Sequence, residues 1–102
     1  MIIVAGQVDF DTRYLPEILA DIRALEAATR LEDGCLYYAM AFDDLETGHA
    51  TVLERWRDEA ALNVHLRTPG LKAFQERNLP RSKQFSIKLY EIAAERELVV
   101  LD

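Results

Sequence analysis

The chain has 102 residues, half of them apolar and 29% charged, which suits one globular domain and is too apolar for a disordered one. Eighteen acidic against twelve basic residues leave a formal charge of −6. Duplex nucleic acid and anionic membrane surfaces both demand a basic face, so neither is an expected partner.

Residues Ile2 to Phe10 read as a first strand, rich in Ile, Val and Phe, with Gly6 its one weak point. Asp11-Thr12-Arg13 carries helix-start chemistry. From about Tyr14 to Arg30, Leu15, Ile18, Leu19, Ile22 and Leu25 recur at three- and four-residue spacing, which predicts an amphipathic helix with Pro16 in its first turn. Glu32-Asp33-Gly34 ends it, Gly34 serving as a left-handed turn residue.

A second strand is predicted from Cys35 to Phe42. Its alternation places Leu36, Tyr38, Met40 and Phe42 on one side and Cys35, Tyr37, Ala39 and Ala41 on the other. The polar stretch Asp43 to Gly48 is a hairpin connection, with His49 an exposed residue beside it. A third strand follows from Ala50 to Arg57, with Val52, Glu54 and Trp56 on a shared face.

Asp58 is a suitable N-cap for a helix over Glu59 to about Arg67. Thr68-Pro69-Gly70 interrupts it before a short helix from about Leu71 to Asn78, where Leu71, Phe74 and Asn78 form one stripe. A fourth strand is predicted from Gln84 to Ile92, and Leu98-Val99-Val100-Leu101 as a short terminal strand. The order β-α-β-β-α(α)-β is an α+β, ferredoxin-like plan with helices on one face of an antiparallel sheet. The bare sheet face and the terminal strand predict a homodimer, because a domain this small has nothing else to cover them.

No apolar run approaches the ~18 residues that span a bilayer, and the start of the chain lacks the basic residues and cleavage site of a signal peptide. Cys35 is the single cysteine, which forbids an internal disulfide and makes a reducing cytoplasm the expected compartment. Two histidines and one cysteine, far apart, predict no metal site. Phosphate-loop and dinucleotide fingerprints are missing, so no flavin or nicotinamide cofactor is expected.

A few residues stand out as candidates for chemistry. Glu54 is a carboxylate within an apolar strand, costly unless partnered, and burial would raise its pKa toward that of a base able to deprotonate a phenol. It could equally meet an arginine or cap a helix. Trp56, two residues away, either fills the gap between sheet and helix or walls a flat aromatic pocket. His65 lies near the apolar stripe of the second helix, a general base or a structural imidazole. Gln7 interrupts the first strand, and its amide needs a partner that a ligand oxygen could provide. Tyr37 and Tyr38 face opposite ways, so only one of them can enter a given pocket.

Glu32-Asp33-Gly34-Cys35-Leu36-Tyr37-Tyr38, Val52-Leu53-Glu54-Arg55-Trp56, Ala61-Leu62, His65-Leu66, Thr68-Pro69 and Lys72-Ala73-Phe74 together resemble the antibiotic biosynthesis monooxygenase family. Among its members the look is nearest to bacterial quinol monooxygenases. The resemblance implies a ferredoxin-like protomer, two of which close a dimeric α+β barrel. It also implies cofactor-free oxygenation of an electron-rich hydroxylated aromatic, a quinol or polyphenol, by O2. His65 and Glu54 are then the expected catalytic residues, and Trp56, Gln7, Tyr38 and Phe74 the substrate contacts. Val52 and Leu62 stand where polyketide-tailoring members carry asparagine and tyrosine, and Gln75 where haem-degrading members carry an iron ligand. Isomerisation of a small carbonyl compound, or ligand binding without catalysis, are the alternatives the fold also allows.

Overall fold

A computed structural model describes residues 1–101. Strand β1 (Ile2–Phe10) is followed by a 3₁₀ turn (Thr12–Tyr14) and helix α1 (Leu15–Thr29). Strands β2 (Cys35–Asp44) and β3 (His49–Trp56) form a hairpin, and helices α2 (Glu59–Leu66) and α3 (Pro69–Asn78) lead to β4 (Ser82–Glu91). The four strands make one antiparallel sheet in the order β2-β3-β1-β4, which is the ferredoxin-like arrangement.

Local chemistry sets the boundaries. Asp58 caps α2 by accepting from the Ala61 N–H at 2.8 Å. The Thr68 side chain caps α3, so Pro69 and Gly70 open that helix rather than separating it from α2. Gly34 turns the chain with φ +82° between α1 and β2. Gly6 permits the close approach of β4: a Cβ there would run into the backbone of Ser86 and Ile87. The apparent weak point of β1 is thus a packing requirement.

The core lies between the sheet and α1, α2 and α3. Ile2, Val4, Val8 and Phe10 of β1 alternate inward, as do Ala50, Val52, Glu54 and Trp56 of β3, and they meet Ile18, Ile22 and Leu25 of α1. The opposite sheet face carries no helix. Tyr37, Leu53 and Tyr90 are exposed there. Strand β4 is exposed along nearly its whole length, because the helices cover the other three strands and stop short of it.

Three local expectations are corrected. Leu36 is exposed, whereas Cys35 packs against the core. The register slips between Cys35 and Tyr37, leaving Leu36 as an extra residue in β2 and inverting the alternation before it. Leu98 to Leu101 form no strand and are 69% or more exposed, since no strand edge within the protomer receives them. His49, expected to be simply exposed, is two-thirds covered and its Nδ1 lies 2.5 Å from Asp9. That bond raises the His49 pKa.

Candidate active site

Between the helices and the sheet lies a cavity of about 360 Å³, a size that holds a small aromatic molecule. Its walls are mainly apolar: Val4, Val8 and Phe10 from β1, Leu62 from α2, Leu71 and Phe74 from α3. Phe85, Ile87 and Leu89 of β4 complete the side that the helices leave open. Tyr38, Glu54 and His65 bring polar atoms to this space, and Gln75, Asn78, Ser82 and Lys88 also contribute to its lining.

Glu54 points inward because residues of a strand alternate, and Val52 and Trp56 on either side are core residues. Its Oε1 accepts the Trp56 indole N–H at 2.9 Å. Burial in apolar surroundings drives the Glu54 pKa upward, and the indole bond and nearby His65 offset only part of that rise. Tyr38, on the adjacent strand across from Glu54, is also buried, and its phenol is pushed well above the ordinary value. It therefore remains a neutral hydrogen-bond donor.

His65 sits three residues after Leu62 on α2, which turns both to the interior. The indole of Trp56 covers one face of the imidazole, with ring centroids 4.8 Å apart. The Tyr38 ring meets it edge-on at 5.6 Å. Its Nδ1 lies 3.0 Å from an oxygen of Glu32, which arrives from the turn between α1 and β2.

Thr29 Oγ1 is the single fully enclosed side-chain nitrogen or oxygen that lacks a partner among the described residues. His65 Nε2, Glu54 Oε2 and the Tyr38 hydroxyl also bond to no protein group among the described residues, and none of the three is fully enclosed. The three residues that carry these unspent atoms all line one mainly apolar cavity. Such an arrangement can remove a proton and return one.

The structure therefore gathers His65, Glu54, Tyr38 and Phe74 around one cavity. Trp56 does not line it; the indole is wholly buried against Glu54 and His65. Gln7 lies apart as well. It is exposed on the opposite face of the sheet, between Thr51 and Ser86, because β1 alternates and Val8 takes the inward position. Glu32 was legible in the sequence only as part of a helix stop. No spacing rule joins it to a histidine 33 positions later. No group of three or more His, Cys, Asp or Glu side chains is arranged to hold a metal ion among the described residues. Among the described residues no helix is long and apolar enough to cross a membrane.

Comparison with known proteins agrees with this architecture. Residues 1–77 match the family described as Antibiotic biosynthesis monooxygenase. An uncharacterized protein of Synechocystis, sll1783, is 32% identical over 98 residues, covering 95% of this chain and 67% of that protein. The crystal structure of a candidate antibiotic biosynthesis monooxygenase from Deinococcus radiodurans superposes with a TM-score of 0.87 at 25% identity, covering 98% of this chain and all (100%) of that one. The fold is also shared with Rv0793 from Mycobacterium tuberculosis, at a TM-score of 0.82, 20% identity and coverage of 94% and 98% of the two chains. With three-quarters of its length matched and its fold shared throughout, the chain belongs to the antibiotic biosynthesis monooxygenase family.

Proposed function

We propose that this protein is a monooxygenase that uses O2, without an added cofactor, to oxidise a quinol or polyphenol held in the cavity described above. The observation that carries the reading is that His65, Glu54 and Tyr38, each with a polar atom bonded to no protein group, line one mainly apolar cavity. Closed-shell aromatics react slowly with triplet oxygen, but a phenolate gives up one electron far more readily than a phenol. Deprotonation inside a mainly apolar pocket is therefore the step the protein must supply.

His65 takes the proton of one substrate hydroxyl, and the Tyr38 hydroxyl donates to the oxyanion that forms. The anion passes one electron to O2, and the semiquinone and superoxide combine at a ring carbon to give a peroxide anion. The imidazolium returns its proton to the outer peroxide oxygen. Glu54, a carboxylate of raised basicity, then takes the hydrogen of that ring carbon as the O–O bond breaks. Hydroxide leaves with that proton as water, and the ring carbon becomes a carbonyl. One oxygen atom enters the product, the other becomes water, and all electrons come from the quinol. Trp56 acts from outside the cavity by orienting Glu54 and His65.

The working unit in this reading is a cytoplasmic homodimer, with Cys35 kept reduced. The helix-free sheet face, uncovered β4 and the apolar exposed tail support it.

Oxygen uptake by chelator-treated, flavin-free protein over a panel of hydroquinones tests the proposal, with His65→Ala and Glu54→Gln as controls. Uptake above autoxidation that falls in both variants is expected. Rates equal to autoxidation across the panel would overturn it, and turnover of a small hydroxy-carbonyl compound without oxygen would replace it with an isomerase.

A further inference from the structure

The segment Glu32-Asp33-Gly34 does more than end α1. Glu32 is held on both sides by backbone bonds: its N–H donates to Thr29 at 3.0 Å, and its carbonyl accepts from Cys35 at 3.2 Å. Gly34 reverses the chain with positive φ, and its carbonyl accepts the Arg57 N–H at 2.8 Å, tying the turn to the end of β3. The Glu32 carboxylate is thereby delivered to His65 before any substrate enters. Both of its oxygens lie close to Nδ1, at 3.0 and 3.1 Å. The imidazole ring is only 2% exposed and Glu32 21%, so little water competes for that bond.

A carboxylate can only accept, so a neutral His65 in this contact must carry its proton on Nδ1. Its lone pair is then on Nε2, the nitrogen left without a protein partner at the cavity. Trp56 against one face of the ring and Tyr38 at its edge pack the imidazole against the half-turn that would replace Nδ1 beside Glu32 by a ring carbon. We infer that Glu32 is a positioning residue that selects the Nδ1–H tautomer of His65 and so makes Nε2 the proton acceptor of the site. This rests on the oxygenase reading for its consequence in turnover, but the tautomer itself is a property of the resting protein. When Nε2 takes a proton, the imidazolium is flanked by the Glu32 carboxylate on its far side, which steadies the charge. Glu32 touches no substrate.

Long-range nitrogen–proton NMR of ring-labelled protein, recorded at a pH where His65 is neutral, reads the tautomer without substrate. The expected result is Nδ1–H in the wild type and a mixture of tautomers in Glu32→Ala, with Glu32→Asp largely restoring the wild-type pattern. With a quinol found to be turned over, Glu32→Ala should lower kcat roughly 10- to 1,000-fold while KM stays within about twofold. An Nε2–H tautomer in the wild type, or Nδ1–H unchanged in Glu32→Ala, would overturn the inference. The NMR result stands whether or not any hydroquinone is oxidised, so failure of the oxygenase reading is separately visible. A correct tautomer with unchanged kcat in Glu32→Ala would show that Glu32 has no part in turnover.

Discussion

The Trp56 indole donates its N–H to Glu54 Oε1 at 2.9 Å, across a single intervening residue of β3. That bond lets a carboxylate sit in the core of a small domain. Both residues point to the same side because a strand repeats every two positions, and both are buried. The pairing leaves the second carboxylate oxygen for the cavity. It also makes the indole a support for the site rather than its wall.

Replacing Trp56 by Phe keeps an aromatic body and removes the donor. A buried carboxylate losing one hydrogen bond costs about 1–3 kcal/mol, with some added loss from the smaller ring. The Glu54 pKa should rise further, because the indole bond is the largest influence holding it down. Chemical denaturation and the carboxyl carbon shift of Glu54 followed against pH check both outcomes. A Glu54 titration unmoved by Trp56→Phe would show that the bond does not govern this carboxyl group.

Glu54→Gln should weaken turnover yet leave the fold intact, since the amide oxygen can still accept from Trp56. The folded pKa of Glu54 is raised, so the folded state holds this proton more tightly than the unfolded chain. Its contribution to stability is complete below the ordinary value of 4.5 and is lost as pH climbs through the raised value. The variant should therefore show a flatter fall of melting temperature with rising pH across that window. His49 contributes in the same direction above its ordinary value of 6.5, so a His49→Gln control separates the two. Identical slopes in wild type and Glu54→Gln would contradict the predicted linkage.

Leu71→Phe adds bulk to a residue that lines the cavity and is almost fully buried. Filling empty apolar space should hold the melting temperature within a few degrees while reducing turnover of bulkier quinols more than that of a one-ring quinol. Competition assays on paired substrates measure the ratio directly. An unaltered ratio would mean that substrate does not occupy this space.

Gly34→Ala is expected to damage fold and site together. The φ of +82° costs an alanine roughly 1–2 kcal/mol, and the added Cβ would stand 2.5 Å from the Ala61 Cβ. Relief requires the turn that carries Glu32 to shift away from α2. Thermal unfolding should reveal the loss of stability, and the His65 ring signals should move even in the folded fraction.

A chain ending at Glu97 removes the apolar residues Leu98 to Leu101, which touch little of their own protomer. If they cover a second copy, the truncated chain should dissociate at higher concentration than the full chain in sedimentation experiments. Equal dissociation constants would show that these residues form no part of the proposed dimer contact.

The order of elements from β1 to β4 was legible in the sequence, though not the absence of a strand at Leu98 to Leu101, since helical and strand periods, Asp58, Pro69 and Gly34 act within a few residues of one another. The shared face of Glu54 and Trp56 was legible for the same reason. What only the tertiary structure decided is where separate segments meet. Packing of the helices on the Val8 side of β1 leaves Gln7 on the face away from the cavity, strand β4 lies uncovered, and a slip of register exposes Leu36. Above all, it brings Glu32 to His65 across 33 positions of chain. Local patterns encode which way a side chain points relative to its own backbone. The partner it finds depends on how whole elements pack, and no short window of sequence contains that.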